Sequence, residues 1–91
     1  MVKKRERLEV VYDVLDAIRA NNNSIKTTRL QHASNLSPQM FKEYIEELVS
    51  KEFIKPQSDK NDRKYYALTD KGYEFLTKYR QAMTLIENFG L

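Results

Sequence analysis

Residues 58 to 76 read SDKNDRKYYALTDKGYEFL, and this stretch decides the fold. It begins with seven polar or charged residues, of which Ser, Asp and Asn favour turns because their side chains bond to nearby backbone groups. A run with adjacent tyrosines follows from Lys64 to Leu68, and tyrosine is common in strands. Thr69 is a suitable N-cap for the apolar helical pattern that comes next. The stretch therefore predicts a hairpin tip at Ser58–Asp62, a returning strand, and a helix that continues to about Asn88.

A second helix signal lies just upstream of the hairpin. Ser37 followed by Pro38 is typical of an N-cap and a proline at the first helical position. The apolar residues Phe41, Ile45 and Leu48 then recur at helical spacing, so a helix is predicted from Pro38 to about Lys51. Phe53–Lys55 is a strand candidate, and the proline after it is acceptable only on a sheet edge or at a strand end.

Two further helices are predicted at the N-terminal end. The first runs from about Lys4 to Ala20 and the second from Thr27, as its cap, to about Ser34, with a possible single bridge of strand between them. Their expected inward-facing residues are Leu8, Val11, Leu15 and Ile18, with Val14 alongside, and then Leu30 and Ala33. The predicted fold class is α+β, mainly α, with three helices, a two-stranded hairpin and a long C-terminal helix.

Composition excludes several functions. The chain has 91 residues, which suits one folded domain, and a net charge of +3. It has no cysteine and a single histidine, His32, so we expect no metal site, no cofactor and no thiol chemistry. No nucleophile–base pair or glycine-rich phosphate loop is evident, so we expect no enzymatic activity and no small-molecule ligand. No apolar run is long enough to span a membrane and the start does not resemble a signal peptide, so a cytoplasmic location is expected.

Two segments carry a family resemblance. LSPQMFKEYIEELVSKEFI (36–54) followed by DRKYYALTDKGYEFL (62–76) resembles the winged helix-turn-helix DNA-binding domains of prokaryotic regulators. In those domains a recognition helix precedes a strand, a wing with Asp and Arg, and a passage of the form tyrosine-x-leucine-threonine-x-x-glycine. Tyr66, Leu68, Thr69 and Gly72 match that passage, and Asp62 and Arg63 match the wing. The small size and long last helix are most similar to archaeal ten-kilodalton chromatin proteins and their regulator relatives, which dimerise through antiparallel C-terminal helices.

One position departs from the family pattern. Glu52 stands where such domains usually have glycine after the recognition helix. Glycine serves there as a left-handed residue, a conformation that costs a residue with a Cβ roughly 1 kcal/mol or more. Either the helix ends differently here or the strain is accepted.

The resemblance implies a DNA-binding unit over residues 1–69 and a dimerisation helix over residues 70–91. In this architecture the third helix enters the major groove, where Gln39 suits adenine. A wing arginine such as Arg63 reaches the minor groove. Met40 fits either the core or a contact with a thymine methyl group. The expected DNA-contacting residues are Arg29, Ser37, Gln39, Lys42, Lys60, Arg63 and Lys64, with phosphate contacts from Lys3, Lys4, Arg5 and Arg7 as a further possibility.

The last helix carries a heptad pattern. Four apolar residues recur at spacings of three, four and three, as a and d positions of a coiled coil do, and a second stripe lies beside them. One helix on a small domain is not expected to bury both stripes, so a homodimer is predicted, addressing half-sites separated by ~34 Å if they lie one turn apart. The expected interface residues are Leu76, Tyr79, Met83, Ile86 and Phe89, and the second stripe consists of Phe75, Ala82, Leu85 and Phe89. The alternative is a monomer in which this helix folds back against the first helix and buries both stripes.

These observations predict a homodimeric protein that binds double-stranded DNA as a transcriptional regulator or a nucleoid-associated protein. The acidic residues Glu43, Glu46 and Glu47 on the third helix oppose a close approach of its whole face to phosphates. One alternative is therefore a protein-interaction winged helix whose acidic third helix docks a basic partner. Another is a single-stranded nucleic-acid binder that stacks bases on Tyr65 or Tyr66, one of which should be exposed because adjacent strand residues face opposite sides.

Overall fold

The computed structural model describes residues 7–91, so the predicted start of the first helix at Lys4 and the basic residues Lys3, Lys4 and Arg5 lie outside the described residues. The fold class is as predicted: four helices and a small antiparallel sheet, with helix dominant. The elements are α1 (Arg7–Ala20), β1 (Ile25–Lys26), α2 (Thr27–Ser34), α3 (Pro38–Ser50), β2 (Ile54–Ser58), β3 (Lys64–Leu68) and α4 (Asp70–Asn88).

The sheet has three strands in the order β1-β3-β2, all antiparallel. β2 and β3 form the predicted hairpin, with Ile54 opposite Leu68 and Ser58 opposite Lys64. The short β1 adds a third strand on the other side of β3, where Ile25 pairs with Tyr66. β2 is an edge strand, which is where Pro56 is tolerated because an edge strand does not need every N–H for pairing.

Helix boundaries follow local capping chemistry, with one exception. The Ser37 hydroxyl oxygen accepts the Met40 N–H at 3.3 Å, and the Thr69 hydroxyl oxygen accepts the Gly72 N–H at 3.1 Å. The prediction that Thr27 caps α2 is wrong. Thr27 is the first helical residue, and the capping position is Lys26, whose side chain makes no cap bond.

The core joins α1, α2, α3, the sheet and the start of α4, and three side chains differ from expectation. Leu8 is 57% exposed, because α1 turns Val10 inward instead. Ala33 is exposed, and the next residue, Ser34, is fully buried with its hydroxyl donating to the Leu30 carbonyl at 2.7 Å. Met40 is also exposed rather than in the core. The buried apolar residues are Val10, Val11, Val14, Leu15, Ile18, Ile25, Leu30, Phe41, Ile45, Leu48, Ile54, Ala67, Leu68 and Leu76.

The end of α3 keeps the left-handed conformation that glycine usually provides. Glu52 has φ 63°, so the strain is accepted rather than avoided. Its N–H donates to the Val49 carbonyl at 3.0 Å, and the Phe53 N–H donates to the Leu48 carbonyl at 2.9 Å. These two bonds are those of a Schellman motif, which satisfies the last carbonyls of a helix.

The start of α4 packs directly on that corner. The Thr69 hydroxyl donates to the Glu52 carbonyl at 2.5 Å, and the Lys71 ammonium donates to the Lys51 carbonyl at 2.8 Å. A cation near the C-terminal carbonyls of a helix is favoured by the helix dipole. The wing, the third helix and the last helix therefore meet at one hydrogen-bonded corner.

The middle of α4 packs on α1. The rings of Tyr12 and Tyr79 stack with centroids 4.7 Å apart, and Arg80 donates to the Tyr12 hydroxyl and to Asp16, each at 3.1 Å. Every residue from Arg80 onward is exposed. Within residues 7–91, no helix is long and apolar enough to cross a membrane.

Candidate nucleic-acid interface

The outward face of α3 carries the side chains predicted to read DNA. Gln39 and Lys42 are both exposed, and with Glu43 and Glu46 they line one shallow depression. The Gln39 amide lies 3.5 Å from the Glu43 carboxylate, at the limit of a hydrogen bond, so this contact costs little to break. The face therefore offers a weakly bonded carboxamide and an ammonium beside two exposed carboxylates.

Glu47 differs from the other acidic residues of α3. Its carboxylate forms an ion pair with Arg7 of α1 and another with Lys51 at 2.7 Å. Hydrogen bonds first from Lys51 and then from Arg7 hold the pKa of Glu47 below its usual value. Two cations thus compensate the charge of Glu47. The carboxylates of α3 that would still repel DNA phosphates are those of Glu43 and Glu46.

The wing tip is organised by one carboxylate. Asp59 Oδ1 accepts the N–H of Asn61 at 2.8 Å and the N–H of Arg63 at 2.9 Å. Asp62 takes a left-handed conformation, with φ 60°, which lets the chain reverse between the strands. Asp59 therefore contacts Arg63 through the Arg63 backbone N–H.

The three wing cations remain available for a ligand. Lys60, Arg63 and Lys64 are exposed, and their side chains form no ion pair with any residue from 7 to 91. Because Asp59 uses its carboxylate on backbone N–H groups, it does not neutralise them by direct pairing. The hairpin therefore presents three cations without ion pairs among the described residues, two in its turn and Lys64 at the start of β3.

The prediction that one of the adjacent tyrosines is exposed is wrong, since both are half-buried. Tyr66 packs against the core, and the Tyr65 hydroxyl faces Asp59 Oδ2 at 3.4 Å. Neither ring is a fully open platform for a base, which removes the observation that favoured single-strand binding.

The remaining DNA-contact candidates are distributed over other elements. Arg29 is exposed on α2, and Ser37 is exposed at the start of α3, where its oxygen serves as the cap. The predicted residues thus form two groups, one on α3 and one on the wing, and Arg29 is on α2. Asp59 is the residue that sequence reasoning undervalued, although the Asp-x-Asn spacing of a side-chain-bonded turn is present in the sequence.

The predicted interface of α4 divides into two parts. Leu76 is only 2% exposed and belongs to the core of its own chain, contrary to its expected place in a dimer seam. Tyr79 is half-buried against Tyr12. The exposed large apolar residues of the helix and its C-terminal end are Tyr73, Met83, Leu85, Ile86, Phe89 and Leu91. An apolar surface therefore exists on the last two turns of α4, and Met83 on this surface also lines a cleft between α4 and α1.

No group of histidine, aspartate or glutamate side chains within residues 7–91 is arranged to hold a metal ion, and His32 lies exposed on α2.

A helix-turn-helix followed by a two-stranded wing defines the class of winged-helix DNA-binding proteins. The chain belongs to the winged helix-turn-helix family, whose model matches residues 4–87. It is 34% identical over 83 residues to MJ0290, an uncharacterized protein of Methanocaldococcus jannaschii, and the match covers 91% of this chain and 36% of that protein. The chain thus spans little more than a third of this relative.

Solved structures agree on the fold. The chain is similar to Sso10a-2, a DNA-binding protein from Sulfolobus solfataricus, with 25% identity and a TM-score of 0.75 over 93% of this chain and 85% of that one. It also shares the fold of F93 from STIV, a winged-helix DNA-binding protein, with 19% identity and a TM-score of 0.74 over 88% and 91% of the two chains. The resemblance to small archaeal winged-helix proteins is confirmed, and the fold is one that transcription regulators use.

Proposed function

We propose that this chain acts as a homodimeric double-stranded DNA-binding protein, either a transcriptional regulator or a nucleoid-associated protein. The observation that carries the proposal is the wing tip, where Lys60, Arg63 and Lys64 are exposed and unpaired within the described residues on a loop held by Asp59. Unpaired cations on a protruding hairpin suit phosphates and the negative minor groove. The proposal gives the protein no catalytic step.

In the proposed binding mode the first turns of α3 enter the major groove and the wing lies on the minor groove or the backbone. Gln39 contacts an adenine edge, Ser37 and Lys42 contact phosphates, and Arg29 contacts the backbone from α2. Glu43 and Glu46 lie further along α3 and repel phosphates, so only the tip of the helix inserts. The wing consequently supplies a larger share of the affinity than the helix does.

The dimer in this proposal forms through α4, with residues 1–69 as the DNA-binding unit and residues 70–91 as the dimerisation helix. Met83, Ile86 and Phe89 supply the seam, because they are 43%, 40% and 73% exposed on the single chain. Large apolar side chains in one exposed stripe commonly mark an association surface. Leu76 contributes to the core instead. The first half of α4 therefore packs on the DNA-binding unit, and only its second half is available for the dimer.

Duplex binding tests the proposal. We would titrate labelled duplex DNA by fluorescence anisotropy between about 50 and 200 mM salt, where phosphate-dominated binding weakens steeply and linearly in log–log form. Arg63→Ala should weaken binding and reduce the magnitude of the salt slope by about 1, as the loss of one phosphate contact does. Lys78→Ala, which removes a cation from the exposed face of α4, is the matched control and should leave the slope unchanged.

Two results would contradict the proposal. One is an absence of duplex binding at low salt, which would favour the protein-interaction alternative for the acidic α3. The other is an equal effect of Arg63→Ala and Lys78→Ala, which would mean that net charge rather than the wing determines binding.

A further inference from the structure

We propose that Asp59 is a positioning residue of the DNA interface: its carboxylate fixes the wing tip so that Lys60, Arg63 and Lys64 are held ready for the duplex. This inference rests on the proposed function and deepens it. An anionic side chain in a DNA-contacting loop would ordinarily be expected to weaken binding, because it repels phosphates. The structure points to the opposite net effect.

Asp59 contributes hydrogen bonds from both its side chain and its backbone. Besides the two N–H groups that Oδ1 accepts, the Asp59 N–H donates to the Arg63 carbonyl at 3.1 Å, and the Asp62 N–H donates to the Asp59 carbonyl at 3.1 Å. The first of these backbone bonds closes the loop across the hairpin. The second stabilises the reversal at Asp62, whose left-handed conformation needs support.

The same carboxylate also reaches the sheet. Its second oxygen, Oδ2, faces the Tyr65 hydroxyl at 3.4 Å, and Tyr65 pairs with Gln57 across the hairpin. The loop is therefore tied to a residue whose position the sheet fixes. The ionised carboxylate is the form that these contacts favour, because hydrogen bonds first from the Arg63 N–H and then from the Asn61 N–H lower the pKa of Asp59.

Phosphate repulsion by Asp59 and ordering of the loop by Asp59 have opposite effects on duplex affinity. Repulsion between Asp59 and phosphates acts through water and is screened over about 8 Å at physiological salt. A loop without these bonds would have to be ordered at the moment of binding, and fixing the backbone of one residue costs about 1–2 kcal/mol. Several residues from 59 to 63 depend on Asp59 for their conformation, so loss of order outweighs relief of repulsion.

Three variants distinguish the effect of the Asp59 hydrogen bonds on duplex binding from the effect of its negative charge. Asp59→Ala removes both the charge and the acceptor, and should weaken duplex binding about fivefold to tenfold, the loss expected for one to two hydrogen bonds. Asp59→Asn removes the charge but keeps a carbonyl oxygen that accepts the N–H groups of Asn61 and Arg63, so it should bind within about twofold of the unmodified protein. Asp62→Asn removes a charge from the same tip and keeps a residue that tolerates left-handed backbone, so it should bind equally or more tightly.

The test uses the full chain with the same labelled duplex and salt series, together with thermal unfolding. Asp59→Ala should change the midpoint of thermal unfolding by no more than about 3 °C, because the tip lies outside the core. Its salt slope should be smaller in magnitude than that of the unmodified protein, since fewer cations are held near phosphates. A purely structural role for Asp59 would lower the midpoint and leave the slope unchanged.

Binding by Asp59→Ala that equals or exceeds that of the unmodified protein would overturn the inference, and so would equal weakening by Asp59→Asn and Asp59→Ala. Arg63→Ala distinguishes this failure from failure of the proposed function. If Arg63→Ala weakens duplex binding and Asp59→Ala does not, the wing binds DNA without Asp59 as a positioning residue. If the unmodified protein does not bind duplex DNA, both proposals fail together.

Discussion

Glu52 and Gly72 lie at the corner where α3 leads into the wing and α4 begins. Each occupies a position that favours glycine, but for a different reason. Glu52 adopts φ 63°, a conformation that costs a side chain with a Cβ roughly 1 kcal/mol. Gly72 lies where a Cβ would be 2.3 Å from the Phe53 carbonyl oxygen. Glycine is therefore present where a side chain would collide with the Phe53 carbonyl, at position 72, whereas at position 52 the chain accepts the strain of a left-handed glutamate.

Replacing Glu52 with glycine should stabilise the protein by about 1 kcal/mol, because it removes the left-handed strain and keeps the two backbone bonds of the Schellman motif. Urea unfolding monitored by circular dichroism measures the change. Glu46→Gly is the matched control, since the same substitution inside α3 should destabilise by about 1 kcal/mol. A destabilised Glu52→Gly protein would mean that the Glu52 side chain contributes more than its backbone costs.

Gly72→Ala should destabilise the protein by about 1–3 kcal/mol through overpacking against the Phe53 carbonyl, even though alanine is the better helix former. The thermal unfolding midpoint measures it. Gln81→Ala, at an exposed position of the same helix, should stay within about 0.5 kcal/mol. If the two variants are equally stable, the corner is able to widen without cost.

At the scale of elements, Glu47 links α3 to α1 through an ion pair at the surface. Its carboxylate pairs with Arg7 and Lys51, and Arg7 also lies over the Tyr44 ring at 5.5 Å. The lowered pKa of Glu47 means that the ionised form is favoured in the folded state. The stabilisation is therefore present above the ordinary carboxyl pKa and is lost as the pH falls through the folded-state value.

Glu47→Gln should make the protein less stable than the unmodified chain at pH 7, and the difference should narrow as the pH falls below about 4. Urea midpoints at a series of pH values measure both effects. Glu74→Gln is the control, because Glu74 forms an exposed pair with Lys78 at 3.9 Å, a type that adds little stability. A Glu47→Gln difference that does not change with pH would contradict a role for the ionised carboxylate.

Elements whose signals are local were predictable from the sequence. The Ser37-Pro38 start of α3 and the Thr69 cap depend on neighbours within a few residues, and the structure has them where predicted. The hairpin is also present, but its first strand was predicted at Phe53–Lys55 and is Ile54–Ser58 instead, because pairing with β3 continues past Pro56 to Ser58. Side-chain burial was less predictable, because it depends on how elements pack. Leu8 and Val10 differ by only half a turn, and the packing of α1 decides which faces inward.

In the candidate site, too, features set by nearby residues were predictable and features set by packing between elements were not. The wing cations were predictable from composition and turn chemistry, whereas the pairing of Glu47 with Arg7 joins residues forty positions apart in the chain. Leu76 has heptad spacing with Met83, yet the core of its own chain covers it. A periodic pattern indicates which residues share a helix face, but not which neighbour covers each part of that face.

At the scale of the whole molecule, the last two turns of α4 carry exposed apolar side chains that no other described element covers. Ile86→Lys places a charge in this stripe and should convert the proposed dimer to a monomer with the helical content unchanged, because Ile86 lies outside the core. Sedimentation equilibrium measures the mass, and the affinity for duplex DNA should fall when the dimer is lost.

The control is Gln81→Lys, on the outer face of the same heptad, which should remain dimeric. A mass near 10.8 kDa for the unmodified protein at micromolar concentration would contradict the dimer.

The attachment of α4 to α1 also bears on the distance between half-sites that the proposed dimer would bind. Arg80 bonds to Tyr12 and Asp16, and the Tyr12–Tyr79 stack lies beside it, so α4 leaves the body at a fixed angle rather than through a flexible tether. Two copies paired through such helices would hold their reading surfaces at one separation and one rotation about the duplex axis. Inserting about five base pairs between half-sites rotates one of them to the opposite side of the duplex, since a turn takes about 10.5 base pairs. Binding should then fall to that of a single half-site, and Arg80→Ala should relax this spacing requirement while leaving the affinity for one half-site unchanged.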